Sequence, residues 1–415
     1  MKFIKKSNEK VPNTDLTSKN FNNLNVVCLS NQTWDFKLWT NKKHIMSELR
    51  DRYVPVLFID PPLRLKIFNK IIKNIITLKQ IFVPIVESKT LKIYSPFRFS
   101  LSKNIGRFIP ILDDIYIYYT AYIINNFLDN LEGKKVLWIY HVSFPGLEKL
   151  LKLIKVDLII YDLVDDYSEM PEFSKVQEWL KQRENWLIKK ADVVFTSAPG
   201  LFNKYFSMKK GDVYYIPNAG AFDLFNKTEN LLPPEKLKEI LAQKKKIVGF
   251  SGTLDAYKVN VPLVKRMVQT YPNYNFVFIG PINLSDYSEE FENLRNFHNV
   301  YFIDPVPKPD LVAFHKYFDV YIIPYNLNSY TKGCFPVKFF DALSSGLAVV
   351  STNLQAFEPF SQVCYIAKSD GEFINLLKVA IDENSEVKKN ERIKVASLNT
   401  WDQKLDKQLE IICRY

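Results

Sequence analysis

The chain has 415 residues, 47% of them apolar or aromatic and 14% aromatic, which is enough to build two domain cores and excludes extended disorder. Lys and Arg number 56 against 45 Asp and Glu, and the net charge of +11 suits an anionic partner: a phosphorylated small molecule, a membrane face or nucleic acid. Twelve glycines without a GxGxxG or GxxxxGK[ST] run argue against a glycine-rich phosphate cradle, and four scattered cysteines (Cys28, Cys334, Cys364, Cys413) against a zinc site or a disulfide framework.

The N-terminal run MKFIKKSNEKVPNTDLTSKN lacks an apolar segment of the kind a cleaved signal peptide needs, and no stretch of about 18 uncharged apolar residues reads as a membrane span. Short strands then alternate with amphipathic helical stretches. In the first half they are predicted at Leu24–Leu29, Pro55–Ile59, Lys135–Tyr140, Val156–Tyr161, Asp192–Thr196 and Asp212–Ile216. Most are rich in Val, Ile, Leu and Tyr without polar alternation, as parallel strands covered on both faces are. The pattern breaks over 219–245, which carries Pro-Pro and a Lys run and is predicted to connect two domains. A second series follows at Lys246–Phe250, Asn275–Ile279, Val300–Ile303, Asp319–Ile323, Leu347–Ser351 and Val363–Ile366, with helices near 260–271, 288–296, 309–317, 336–345 and 370–383. Repeated βα units of this kind predict an α/β protein of two Rossmann-like domains facing a cleft, with ligands at the C-terminal ends of the strands. The expected domains span 1–225 and 246–395, with a terminal helix over 396–415.

Two segments stand out. Residues 63–82, LRLKIFNKIIKNIITLKQIF, contain basic but no acidic residues. Lys66, Lys70 and Lys73 share one helical face and, with Arg64, suit an anionic membrane surface; a helix packed on its own domain with a solvated basic face is the alternative. In YNLNSYTKGCFPVKFFDALSSGLAVVST (325–352), Pro336 suits the first turn of a helix, and Lys338 and Asp341 fall three apart on one face. A lysine in a helix's first turn favours an anion, and a carboxylate one turn deeper can accept hydrogen bonds from the vicinal hydroxyls of a ribose; a surface ion pair is the plainer reading.

The run PVKFFDALSSGLAVVST resembles the donor-binding signature of GT-B glycosyltransferases, particularly glycosyltransferase family 4 and its teichuronic-acid-type bacterial relatives, which read approximately P-x-K-x-x-E-Y-L-A-x-G-x-P-V-V. The resemblance implies that Asp341 binds the ribose of a nucleotide sugar and that Lys338, with Pro336 opening the helix, lies near the diphosphate. It departs from the family in two places: Asp341 replaces a glutamate, and Gly333 stands where the E-x7-E motif has its first glutamate. VGFSGTLDAYKVNVPLVKRM resembles the first βα unit of the donor domain, placing Gly252 and Thr253 in its turn and Lys258 as a substitute phosphate-side cation or a solvated loop lysine. NFVFIGPI, with Gly280 after a strand, resembles the unit whose loop borders the nucleotide base, and SLNTWDQKLDKQLEII resembles the terminal helix that crosses back to the first domain.

In the first half, VVCLSNQTWDFKLWTNKKHIMSELRDRYVPVLFIDPP resembles the opening βαβ unit, with Trp34 and Asp35 on its acceptor-side loop; Asp35 could equally cap a helix. His141 and Asp165 each follow a strand and are candidates for the acceptor side, or a structural histidine and a turn residue. VYYIPNAGAFDLF resembles the segment that leaves the first domain. The implied activity is sugar transfer from a nucleotide-diphosphate sugar, UDP- or GDP-linked, to a hydroxyl of a membrane-associated glycan or glycolipid in surface polysaccharide synthesis. Retention of configuration, no metal and no cofactor are expected, with Lys338 supporting the leaving group and Asp165 or His141 on the acceptor side. The expected location is cytoplasmic, against the inner face of the plasma membrane, and no nucleic-acid partner is expected. A nucleotide-sugar epimerase and a non-catalytic sugar-binding subunit are the rival readings.

Overall fold

The computed structural model describes residues 23–36, 39–64, 82–98, 110–209, 211–227, 231–282 and 288–415. All twelve predicted strands have counterparts among them. The first sheet contains β1 (Leu24–Leu29), β2 (Val56–Ile59), β3 (Ile85–Val86), β4 (Leu91–Tyr94), β5 (Lys134–Ile139), β6 (Leu158–Leu163), β7 (Val193–Thr196) and β8 (Val213–Tyr215), in the order β8-β7-β6-β5-β1-β2-β4-β3. Every pairing is parallel except that of the edge strand β3 with β4. The second sheet contains β9 (Lys246–Ser251), β10 (Tyr274–Ile279), β11 (Val300–Ile303), β12 (Val320–Ile323), β13 (Ala348–Thr352) and β14 (Cys364–Ala367), all parallel, in the order β11-β10-β9-β12-β13-β14. In this order the sheet reverses direction at β9 and β12, and a crevice opens there at the strands' C-terminal ends.

The strands run without polar alternation because both faces are covered: β1 and β2 are buried at every position. In the first sheet two strands escaped the sequence reading, β3 and β4, because two and four residues are too short to show a period. The 20-residue helix Pro110–Asp129 also escaped it. Within the predicted connection, Glu235–Ala242 forms a helix that buries Leu237 and Ile240, three apart, and Asn275 of β10 donates to the Ile240 carbonyl, so this segment packs on the second domain.

The helices include α1 (Asn41–Asp51), α2 (Pro110–Asp129), α3 (Val261–Thr270), α4 (Lys308–His315), α5 (Lys338–Ser344) and α6 (Trp401–Ile412), of which α1, α4 and α5 contribute residues to the cleft. Helix α6 is the crossing-back helix expected from the sequence. A capping box between Thr400 and Gln403 starts it, worth about 1 kcal/mol. Trp401, Leu405, Leu409 and Ile412 line its buried face, each contributing roughly 1.5–3 kcal/mol. It docks on the first domain through Lys404, which donates to the carbonyls of Ile216 (3.2 Å) and Pro217 (3.1 Å), and through Gln408, which donates to Asp162 (3.1 Å). Arg52 of the first domain reaches back to Asp406 at 2.6 Å.

Of the residues expected at a membrane, Lys66, Lys70 and Lys73 lie outside the described residues. Arg64 closes a two-residue strand, Leu63–Arg64, that pairs in parallel with Phe97–Arg98. Among the described residues no helix is long and apolar enough to cross a membrane.

Candidate active site

A cavity of about 310 Å³ lies between the domains and takes walls from both. The second domain supplies its floor at the ends of β9 and β10. Gly252 follows β9 with φ +133° and Gly280 follows β10 with φ +145°, conformations that L side chains rarely adopt. The two turns are pressed together: a Cβ on Gly280 would fall 2.1 Å from the Gly252 carbonyl oxygen. A Cβ on Gly252 would fall 2.3 Å from Nζ of Lys338. Glycine at 252 is therefore what lets the lysine reach the floor. Gly252→Ala is expected to displace that ammonium and to cost ~1–3 kcal/mol in backbone strain, measurable as a drop in melting temperature.

Lys338 is the first residue of α5, two positions later than the sequence suggested for the helix start. An aromatic cluster holds this end of the helix in place: Phe339 stacks on Phe357 at 4.2 Å and Phe335 on Phe340 at 5.4 Å. Nζ of Lys338 lies 3.9 Å from the Phe250 ring centre and 5.5 Å from that of Tyr325. Among the described residues it has no ion-pair partner. Burial, reinforced by Lys258, lowers its pKa from 10.5 to about 7. It is held on ring faces, and Asp255 nearby offsets part of the cost of its burial.

Lys258, on the loop after β9, also lines the cavity, but its ammonium is bound to Asp255 at 2.9 Å. Burial, the largest single influence, lowers its pKa, but Asp255 together with Tyr257 and Tyr325 outweighs it and raises the pKa. Asp341 lies one helical turn from Lys338 and is buried. Its Oδ1 accepts from the Ala221 amide at 2.9 Å, and its Oδ2 is 3.0 Å from Nζ of Lys308. Thr253 and Pro336 complete this side.

From the first domain comes Asp165, in the loop after β6. Its Oδ1 accepts from the Tyr330 hydroxyl at 3.0 Å and faces the Cys334 thiol at 3.5 Å, both in the second domain. Burial raises its pKa, against a lowering by Lys258. The first domain also contributes Trp39, Thr40 and Asn41 at the start of α1, and Asn218 in the segment leaving it. Asn41 donates to the Asn218 side-chain oxygen, and Asn218 donates to the Phe335 carbonyl at 2.7 Å, tying the two domains together beside the cavity.

Residues 234–359 match the family model described as Glycosyl transferases group 1. That segment is a glycosyltransferase group 1 domain. A protein of Bacillus subtilis (strain 168) that bears the name teichuronic acid biosynthesis glycosyltransferase TuaH is 25% identical over 277 residues, 63% of this chain and 68% of the relative. Among solved structures, sucrose-phosphate synthase from Thermosynechococcus elongatus superposes with a TM-score of 0.71 at 12% identity, covering 94% of this chain and 98% of that one. Anabaena Alr3699/HepE, solved in complex with UDP and glucose, gives 0.64 at 12% identity, covering 94% and 99%. The architecture is the GT-B fold.

The cavity gathers Gly252, Thr253, Lys258, Gly280, Pro336, Lys338, Asp341 and Asp165. It does not gather three others. Trp34 is buried in the first domain, its ring 5.1 Å from Phe58, and its amide donates to Asp60 at 2.8 Å. Asp35 beside it faces solvent. Strand β1 ends five residues before Trp34, and the chain turns there before reaching α1, so Trp39 rather than Trp34 meets the cavity. His141 is buried, and its Nδ1 accepts from the Ser143 amide at 3.0 Å and meets the Ser143 hydroxyl at 2.5 Å. Burial, with Lys42 nearby, pushes its pKa down to about 3, so it is a neutral structural imidazole beside Tyr167 rather than a cleft residue. Gly333 packs against the first domain: a Cβ there would fall 3.0 Å from Cβ of Asp166 and 3.3 Å from Leu201. A glutamate at 333 would strike that wall.

The residues missed were Trp39, Asn41, Asn218, Lys308, Tyr330 and Cys334. Asn218 carried a signal, the segment IPNAG. So did Lys308, a cation at the first position of a helix, where the helix dipole disfavours it.

Proposed function

We propose that the protein transfers a sugar from a nucleoside-diphosphate sugar to a hydroxyl of a glycan or lipid-linked acceptor of the cell surface, working against the cytoplasmic face of the membrane. The observation that carries this reading is the Lys338 ammonium, set on aromatic faces over the paired turns of Gly252 and Gly280 and in no ion pair among the described residues. A diphosphate supplies the missing charge. Lys338, Lys258 and the backbone at Gly252–Thr253 then stabilise the negative charge that grows on the departing phosphate as the anomeric carbon gains oxocarbenium character. Asp341, one turn deeper, takes the ribose. Asp165, facing the cavity from the opposite domain, takes a hydroxyl of the acceptor or of the transferred sugar. The mechanism we favour retains configuration, with the departing phosphate accepting the acceptor's proton.

A thermal-shift screen of UDP, GDP, CMP and dTDP and their sugars tests the donor: the right nucleotide raises the melting temperature by mass action. Transfer is then assayed with that donor and lipid-linked acceptors. No shift with any nucleotide rejects the reading, and donor turnover without an acceptor favours an epimerase.

The lowered pKa of Lys338 has a further expected outcome. A bound diphosphate restores the charged form, so binding above pH 7 takes up a proton, and affinity falls about tenfold per pH unit as pH rises past 7. Below pH 7 this dependence is absent. Calorimetry in buffers of different ionisation enthalpy measures the uptake, and Lys338→Met removes it.

A further inference from the structure

Lys308 lines the cavity and joins three parts of the molecule. It is the first residue of α4, where a positive charge opposes the helix dipole, so helix stability does not account for it. Its ammonium lies 3.0 Å from Oδ2 of Asp341 on α5 and 3.2 Å from Nε2 of His44 on α1, and both members of the ion pair are nine-tenths buried. An ammonium has no lone pair and can donate only, so His44 accepts at Nε2 and carries its proton on Nδ1. The His44 ring is fixed in turn. It stacks on Trp401 of the crossing-back helix, with ring centres 4.4 Å apart and planes 5° from parallel, and it lies 5.1 Å from the cavity-lining Trp39.

Asp341 is thus gripped on both oxygens, by Lys308 on one and by the Ala221 amide of the interdomain segment on the other. Each carboxylate oxygen has a second lone pair, so two acceptor positions remain, in fixed directions. Two acceptors held on one rigid group match the two vicinal hydroxyls of a ribose.

We propose that Lys308 is a positioning residue for ribose recognition, which holds the Asp341 carboxylate for the 2′- and 3′-hydroxyls and through His44 makes that grip depend on the first domain. This rests on the nucleotide-sugar reading of the cavity and adds to it the residue that sets the preference for ribose. It also places half of the ribose device outside the donor domain's own signature, on α4 and α1.

The test is isothermal titration of the full-length protein with UDP and GDP, each against its 2′,3′-dideoxy form. Wild type is expected to prefer the ribose form of its nucleotide by roughly tenfold or more. Lys308→Gln should cut that preference to about twofold while affinity for the dideoxy form stays near wild type. Lys308→Arg, which keeps a cation, should recover part of it. His44→Phe, which keeps a ring against Trp401 but loses the acceptor, should reduce the preference, and the His44→Phe/Lys308→Gln double variant should be no worse than Lys308→Gln alone. Three results overturn the proposal. Lys308→Gln could retain the full preference while Asp341→Asn loses it, which leaves the site reading standing. Lys308→Gln could weaken both nucleotide forms equally, which is a merely structural effect. Or Asp341→Asn could itself retain the preference, in which case the ribose assignment falls as well.

Discussion

Lys338→Met is expected to lower transfer by about 10²–10³-fold, the range seen when one pre-placed donor to a developing oxyanion is removed, and at the same time to raise the melting temperature. The second half of this prediction separates function from fold. Lys338 is held over Phe250 and Tyr325 with burial opposing its charge, so the folded protein carries a cost for keeping it charged. The sign follows from its pKa, about 7 in the fold against an ordinary 10.5. The cost is fully present below pH 7 and fades as pH rises toward 10.5. An apolar side chain of similar length removes the cost, a gain of ~1–2 kcal/mol after discounting for contact with cavity water. Thermal unfolding and transfer kinetics at pH 6.5 measure both quantities on one preparation. An inactive variant that is also less stable would assign Lys338 to structure.

Asp341→Ala carries the opposite signature and the largest expected loss of stability. The structure gives Asp341 two partners that the substitution strands: the Ala221 amide and the Lys308 ammonium, which would be left buried and unpaired beside His44. Breaking a buried pair from one side costs ~3–5 kcal/mol. Asp341→Asn keeps the amide contact and should cost less, while still losing much of the nucleotide affinity. Chemical denaturation together with nucleotide titration of the two variants checks this order. Equal stability of Asp341→Ala and wild type would mean that the Lys308 pair contributes nothing to folding.

Much of the architecture was legible because parallel strands buried on both faces leave a plain mark in the chain. Runs such as LNVVCL and YNFVFI have no polar alternation, and each is followed by a helix. The second-domain residues of the cavity were legible for a local reason: Gly252, Gly280 and the Pro336–Asp341 run act within one βα unit each, so their spacing in sequence is their spacing in space. The first-domain residues were not. Trp34 and Trp39 lie in the same loop, and which of them enters the cavity depends on how the chain turns between β1 and α1. His141 follows a strand as a cleft residue would, yet its ring turns inward to Ser143 and Tyr167.

Composition and local pattern, taken alone, determined two βα domains, the floor of the cavity and the charged pair on α5, since hydrophobic period, glycine freedom and helical spacing are properties of short segments. Only tertiary structure decided which charges are met: that Asp341 is held by Lys308 and Ala221, that Asp165 faces Tyr330 across the cleft, and that Lys338 forms no ion pair among the described residues. Those pairings join residues tens to hundreds of positions apart, and their energies depend on burial and on distances of about 3 Å that exist only in the folded chain.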